Sequence, residues 1–226
     1  MANPNCRICS FKSPAAESLS AMELEKLSSN CAQISFKRGE VVFREGTLAT
    51  NIAYLRSGLV KVHLKGPVGD KILRLTKAPA YLGLPTTFGD KINHYSATAL
   101  TDVQICFISL ETFREFIFQN GSFAYEIILD LCKNELADYQ RYANMSQKQL
   151  PGRLAEILLC MSHEVFKSNK FELPLNISEL ADFISTSRES VSRQLSEFAK
   201  EEIISLNKKE LVILNKDLLG EICSKG

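Results

Sequence analysis

Apolar and polar positions follow two rhythms along this chain. Between Ile34 and Leu110, short runs rich in Val, Ile, Phe, Tyr and Leu recur between Gly39, Gly46, Gly58, Gly66, Gly69, Gly83 and Gly89. Glu40-Val41-Val42-Phe43, Ile52-Ala53-Tyr54-Leu55, Leu59 to Leu64 and Val103 to Ile108 are such runs. Regular spacing with glycine turns predicts strands closing into a β-barrel, roll or sandwich. Helical periodicity flanks this region. Leu19, Met22, Leu24 and Leu27 predict a helix over Glu17 to Leu27, and Thr112 to Phe118 predicts another. After Asn120-Gly121 a long helix is predicted from Ser122 to Gln149, with Ile128, Cys132, Leu136, Tyr139 and Ala143 three or four residues apart. At the α-helical rise it spans about 40 Å. That exceeds what a small domain needs and points to a dimer seam; the alternative is a helix lying across the β-roll.

Pro151-Gly152 predicts a break, with proline ending the helix and glycine turning the chain. Arg153 to Phe166 resumes helical spacing, with Leu154, Ile157, Leu158 and Met161 on one face, and Lys167 to Lys170 reads as a loop. Ser178 to Ile184 and Arg188 to Lys200 predict two helices separated by Ser185-Thr186-Ser187. Leu180, Ala181 and Ile184 can pack against Val191 and Leu195, and the small Ala181 permits the close crossing of a helix–turn–helix. Ser187 is placed to cap the second helix. Ile203 to Leu206 and Leu211 to Leu214, joined by Asn207-Lys208-Lys209-Glu210, predict a β-hairpin wing.

Arg188, Glu189, Ser192 and Arg193 occupy the first two turns of the second helix, with 189, 192 and 193 on one face. In a major groove, arginine matches the O6 and N7 acceptors of guanine, and glutamate accepts from cytosine N4. A solvated Arg–Glu face is the ordinary fate of such residues. Their position at the start of a second helix favours base reading instead.

With these residues in place the chain resembles the CRP/FNR superfamily of bacterial transcription regulators over nearly its whole length. Ser187 to Arg193 is similar to the recognition-helix motif S-R-E-T/S-V-x-R, and Arg153 to Leu159 to the opening of the family's DNA-binding domain. Lys37 to Gly46 and Ile52 to Lys61 resemble the sensor roll. The implied fold is α+β. A jelly-roll-like β-roll sensor domain occupies residues 1–120, a long dimerisation helix 121–150, and a winged helix–turn–helix 151–226. The resemblance implies a homodimer reading a palindromic double-stranded DNA operator with TTGA-type half-sites, in contact with RNA polymerase. By resemblance, Arg188 and Arg193 contact guanine and Glu189 the opposite cytosine. Ser192 matches the FNR-branch form, and Asn176, Ser178, Ser187 and Ser190 fall at phosphate-contact positions. Ser185 stands where the family often has glycine.

The resemblance also says what the sensor half lacks. The family's cyclic-nucleotide cassette uses a Gly-Glu pair for the ribose and an Arg-Ser-Ala for the phosphate. Here the matching residues are Gly83-Leu84 and Tyr95-Ser96, so both charged contacts are replaced. This degenerate pocket implies a different, unidentified small-molecule effector. The family's iron–sulfur sensor uses C-x₂-C-x₅-C and a fourth cysteine in the roll. Cys6 and Cys9 match the first pair and Cys106 the fourth position, but the third falls on Ala15 and the spacing of Cys31 is wrong. A relic cluster box is expected, with no cofactor; zinc, a thiol redox switch or a three-Cys cluster are the alternatives.

Composition narrows the classes further. The 226 residues are 45% apolar and 23% charged, suited to one large or two small folded domains. No run approaches the roughly 18–20 apolar residues of a membrane span, and Met1 to Cys6 does not read as a secretory leader, so a cytoplasmic protein is expected. Seven cysteines in a reducing compartment are expected to be mostly buried thiols, Cys132 and Cys160 among them. His63 and His94 lack a partner pattern for a ligand role. No nucleophile–base set, phosphate-binding glycine loop or paired carboxylate motif supports an enzyme. The net charge of +1 hides an uneven split: residues 151–226 hold 10 Lys+Arg and 12 Asp+Glu. The half expected to bind DNA is the slightly acidic one, so binding must rest on placed contacts rather than bulk charge. The rival reading is a ligand- or redox-sensing module acting through a protein partner, its DNA half no longer reading sequence.

Each lost charge-assisted hydrogen bond in the cassette is worth about 1.5–3 kcal/mol. Calorimetry with cyclic AMP is therefore expected to show no sub-micromolar affinity, and tight binding would refute the assignment of Leu84 and Tyr95.

Overall fold

The computed structural model describes residues 5–67 and 69–226; the residues before Asn5, part of the stretch read above for a leader, lie outside the described chain. The described chain forms two compact units, Met1–Leu136 and Ala137–Gly226.

In the first unit two four-stranded antiparallel sheets face each other. One joins β1 (Cys31–Phe36), β8 (Val103–Ser109), β3 (Asn51–Ser57) and β6 (Ala80–Leu82), in that order. The other joins β2 (Val41–Phe43), β7 (Ser96–Ala99), β4 (Leu59–Gly66) and β5 (Gly69–Lys77). Val42, Leu55, Val60, Ala97, Val103 and Ile105 fill the space between them. The first sheet is covered on its other face as well. Helices α1 (Pro14–Glu17), α2 (Ala21–Ser29), α3 (Leu84–Phe88), α4 (Leu110–Gln119) and the start of α5 (Gly121–Gln147) lie against it. Ile52 through Leu55 are therefore all buried, with Ile52 and Tyr54 under the helices and Ala53 and Leu55 toward the second sheet. Two-sided burial is why this strand reads as a continuous apolar run rather than an alternation.

Aromatic rings join helices to sheet. Tyr54 and Tyr81 lie 4.9 Å apart between centroids, Tyr81 and Phe113 5.6 Å, and Phe113 and Phe123 5.1 Å. Burying each such Phe contributes about 1.5–3 kcal/mol, with about 0.5–1.5 kcal/mol more for edge-to-face pairing. The N-terminal segment is latched to the same sheet: Ser13 Oγ and Tyr81 OH are 2.7 Å apart, and Tyr54 OH donates to Phe11 O at 2.7 Å.

Several expectations change here. The helix read over Glu17 to Leu27 splits, because Ser20 caps α2 in a capping box with Glu23. Met22 consequently sits on the outer face and is exposed. Helix α5 starts as expected, with Asn120 Oδ1 accepting from Phe123 N at 3.0 Å. Its first half packs on the roll through Phe123, Ile127 and Leu131, and Asn134 Oδ1 accepts from Arg74 Nη1 of β5 at 3.3 Å. The division between the two compact units falls inside this helix, after Leu136. Cys132 and Cys160 are exposed, not buried. Cys132 lies off the Phe123–Ile127–Leu131 face of α5, and Cys160 lies off the Leu154–Leu158–Met161 face.

The second unit contains the end of α5 and then α6 (Leu150–Cys160), which continues as a wider π-helical turn over Met161–Phe166. Pro151 does not end the preceding helix, which stops at Gln147; it sits in the first turn of α6, where its missing N–H costs nothing. Gly152 does not turn the chain either. It is helical, and an added Cβ would meet the backbone of Gly226 at 2.8 Å, so its bareness lets α9 (Lys216–Lys225) end against α6. Helix α9 and strand β9 (Lys170–Glu172) have no counterpart among the expected elements, and the loop expected over Lys167 to Lys170 gives way to β9 only at Lys170. Strand β9 joins β11 (Glu210–Ile213) and β10 (Ile204–Asn207) into a three-stranded wing.

Gly58 links β3 to β4 at φ +91°, and a Cβ there would meet Asp102 O at 2.5 Å. Gly58→Ala is expected to destabilise the first unit by about 2–4 kcal/mol, from left-handed strain plus a backbone clash. Chemical denaturation checks this; an unchanged midpoint would contradict the close approach.

Candidate nucleic-acid interface and sensor region

Two short helices and their caps position the predicted reading residues. Helix α7 (Ile177–Ile184) starts at Asn176, whose Oδ1 accepts from Glu179 N at 2.9 Å while Glu179 returns the bond to Asn176 N. It stops at Ser185, which sits at φ 54° in the left-handed region. That is the conformation glycine adopts most readily, which gives a physical reason for glycine in this turn. Helix α8 (Arg188–Lys200) starts at Ser187, whose Oγ accepts from Ser190 N at 3.1 Å. The inner faces are apolar: Leu180, Ala181, Phe183 and Ile184 of α7 and Val191, Leu195 and Phe198 of α8 are buried.

With those faces committed to the core, Arg188, Glu189, Ser192 and Arg193 all emerge into solvent on the first two turns of α8. Among the described residues they form no ion pair, so the Arg–Glu pairing of an ordinary solvated face is not made. Asn176, Ser178 and Ser187 are exposed and Ser190 half-exposed, but Asn176, Ser187 and Ser190 already serve as caps or cap partners. The wing adds a feature that the sequence reading left as a mere connector. Lys208, at φ 57°, and Lys209 form the exposed tip of the β10–β11 hairpin. Two adjacent lysines in a hairpin turn were the available signal.

Along α5, Ile128, Leu136, Tyr139 and Tyr142 are 54%, 66%, 59% and 67% exposed. Within this chain the predicted apolar stripe is thus largely uncovered.

The four residues expected to form a degenerate nucleotide pocket have separate local partners. Gly83 caps α3 at φ 78°, and its carbonyl accepts from Thr86 and Thr87 Oγ1 at 2.9 and 2.8 Å. Leu84 turns into the layer beneath the helices and lines a cavity of about 530 Å³ that does not include Gly83, Tyr95 or Ser96. Tyr95 packs instead against Phe43, with centroids 6.1 Å apart, and Ser96 Oγ accepts from Glu45 N at 3.0 Å. Leu84 is part of the core, while Tyr95 is half-buried against Phe43. His63 and His94 are engaged locally, with Thr98 and Asp90 respectively.

The cysteines are arranged differently from their spacing. Cys6, Cys31 and Cys106 are buried in one cluster on the helical face of the first sheet, and Ala15 is packed in the same cluster. Cys9 is half-buried. Burial pushes the Cys6 thiol up. Among the described residues no group of three or more His, Cys, Asp or Glu side chains is placed to hold a metal ion. Cys31, set aside on its spacing, is the thiol that the strand register brings beside Cys106.

Residues 33–120 match the cyclic nucleotide-binding domain family, and residues 152–222 match the Crp-like helix-turn-helix domain family. The chain is 25% identical over 183 residues to the transcriptional activator protein Anr of Pseudomonas protegens, covering 79% of this chain and 75% of that protein. It is 25% identical over 226 residues to the fumarate and nitrate reduction regulatory protein of Vibrio cholerae, covering 96% and 90%. In fold it is similar to FixK2 from Bradyrhizobium japonicum, with a TM-score of 0.77 at 17% identity over 85% of this chain and 96% of that one. It is also similar to TTHB099, a CRP-family transcriptional regulator from Thermus thermophilus, with a TM-score of 0.75 at 21% identity over 85% and 97%.

Proposed function

This chain belongs to the CRP/FNR family of DNA-binding transcription regulators, and from that premise we propose that it is a homodimer that reads a palindromic operator through the start of α8. The observation that carries the reading is the exposure of Arg188, Glu189, Ser192 and Arg193 on the second helix of a doubly capped helix–turn–helix. Arg188 and Arg193 offer donors to guanine, and Glu189 offers acceptors to cytosine. Ser192 beside them suits a TTGA-like half-site. Asn176, Ser178, Ser187 and Ser190 lie where backbone phosphates pass, and the N-terminus of α8 adds its own field to that contact. Lys208 and Lys209 at the wing tip supply two further cations for phosphates.

The uncovered α5 stripe supplies the dimer contact. Ile128, Leu136, Tyr139 and Tyr142 of two copies would bury one another and set two α8 helices one helical turn of DNA, about 34–36 Å, apart. An effector acting on the roll would bias α5 and so the spacing of the two reading heads. Contact with RNA polymerase completes the proposed circuit. A DNA partner places the protein in the cytoplasm, and no helix among the described residues is long and apolar enough to cross a membrane. The 10 basic against 12 acidic residues of 151–226 mean weak non-specific affinity and a modest salt slope.

With an operator recovered by selection from genomic fragments, Arg193→Ala is expected to weaken binding by about 1–3 kcal/mol per subunit and to blur one base pair of the half-site. Undiminished, equally selective binding would remove the assigned role. Leu136→Glu is expected to shift the protein from dimer to monomer in sedimentation while leaving its circular dichroism unchanged; a variant that stays dimeric places the seam elsewhere.

A further inference from the structure

The cavity lined by Leu84 has no part in DNA reading. It holds about 530 Å³ between α3, α4 and α5, wholly within the first unit. That is the size of a small-molecule site. Leu110, Arg114, Ile117 and Phe118 bring one face of α4 to it, and Ala124, Ile127, Ile128 and Leu131 one face of α5. At the helical rise these two faces make a trough about 10–12 Å long. Buried Leu84, Thr87 and Ile127 form its floor, and exposed Phe88, Phe118 and Ile128 its rim. The hydroxyl on the floor is already spent, Thr87 Oγ1 donating to Gly83 O at 2.8 Å. Between floor and rim the trough therefore offers a ligand apolar contact.

Charge is confined to the mouth, where Lys91 and Arg114 line the same cavity and are both exposed. Among the described residues neither forms an ion pair. The carboxylates next to them in the chain are engaged elsewhere, Asp90 with His94 and Glu115 with Lys26. The Lys91 backbone is held at φ 63°, its N donating to Thr86 O at 3.2 Å and its O accepting from Ala49 N at 2.8 Å. Its cation thus leaves the chain from a fixed point beside the trough. An apolar trough with cations and no carboxylate at its mouth complements a ligand with a hydrocarbon body and an anionic head. A second copy is a poor occupant. A symmetric contact through this groove would set Lys91 and Arg114 against the same cations of the other copy.

We propose that this cavity binds a medium-chain monocarboxylate, its hydrocarbon chain lying between α4 and α5 and its carboxylate paired with Arg114 and Lys91. The planar guanidinium can take both carboxylate oxygens at once, and the lysine adds a second charge. The inference rests on the reading above that an effector acts on the roll, and gives that effector a chemical class and a place. A chain so placed touches α3, α4 and, through Ile127, Ile128 and Leu131, the part of α5 that leads into the exposed stripe. Of the stripe residues Ile128, Leu136, Tyr139 and Tyr142, only Ile128 lines the cavity, so ligand and dimer seam adjoin without competing for the same helix face.

The test is calorimetry of the full-length protein with octanoate and decanoate, each kept below its micelle concentration. Saturable binding of one decanoate per chain is expected, each added methylene tightening it about fourfold. Decanol, with the same chain and no charge, should bind about tenfold more weakly, and decanoate should lose about tenfold on Arg114→Gln or Lys91→Gln. Both positions are exposed, so these variants should keep the parent's circular dichroism. Ala124→Phe, which puts a ring into the trough, should abolish binding. No saturable binding, equal binding of decanol and decanoate, or charge variants that bind decanoate as the parent does would overturn the proposal. So would dissociation of the dimer by Phe118→Ser in sedimentation, which would put a second copy in the groove. Operator affinity is measured separately, with and without decanoate. Saturable, charge-dependent binding that leaves it unchanged upholds the site and refutes only the effector reading on which its role rests.

Discussion

A sheet buried on both faces is the constraint from which the first unit follows. Strand β3 has apolar cover on each side, Ala53 and Leu55 against the opposing sheet and Ile52 and Tyr54 against the helices. The second face must be closed by something, and the aromatic series Tyr54, Tyr81, Phe113 and Phe123 closes it with α4 and the first turns of α5. That packing anchors one end of a 27-residue helix on the sensor roll. Its exposed apolar stripe is a direct consequence. The anchored turns spend Phe123, Ile127 and Leu131 on the sheet side, and Leu136, Tyr139 and Tyr142 further along are exposed.

In the second unit the corresponding constraint is capping. Helices α7 and α8 have 8 and 13 residues, so unmet backbone groups at their ends weigh heavily. Asn176 and Ser187 satisfy the first turns, and Ser185 accepts a left-handed conformation so that α8 can start after a short link. Since Val191, Leu195 and Phe198 must face inward, Arg188, Glu189, Ser192 and Arg193 have only the outside left. Polar side chains that serve a helix end can also border a DNA backbone. The proposed phosphate contacts fall on the same serines and asparagine that cap these helices.

The first unit shows what uncharged residues do at the positions that the resemblance matches to a nucleotide site. A glutamate or arginine held for a ligand keeps its pocket open, because neither charge can be buried without a partner. Leu84 carries no such requirement and lies in the apolar layer under the helices, while Tyr95 rests half-buried against Phe43. The thiols follow the same logic. Cys6, Cys31 and Cys106 have been drawn into the layer between sheet and helices, and Arg56, held by Gln33 and Phe11, is the charge that keeps that region from being merely apolar.

Much of this was legible in the residues themselves. Glycine-punctuated runs specify the strands, the spacing from Ser122 to Gln149 specifies the long helix, and Asn176 to Leu195 specifies two capped helices with Arg188, Glu189, Ser192 and Arg193 on the outer face. These are local properties: side-chain period, cap chemistry and turn residues act over a few positions. The rest depended on contacts between distant segments. That Gly152 meets Gly226 rather than turning the chain, and that Lys170–Glu172 is recruited as a third strand, are decided by partners far along the chain. So is the fate of Cys31. Counted along the chain it sits at the wrong distance from Cys6 and Cys9, but the β1–β8 register places it diagonally beside Cys106. Sequence spacing measures distance along the chain, and side-chain chemistry depends on distance through space, which only the pairing of strands fixes.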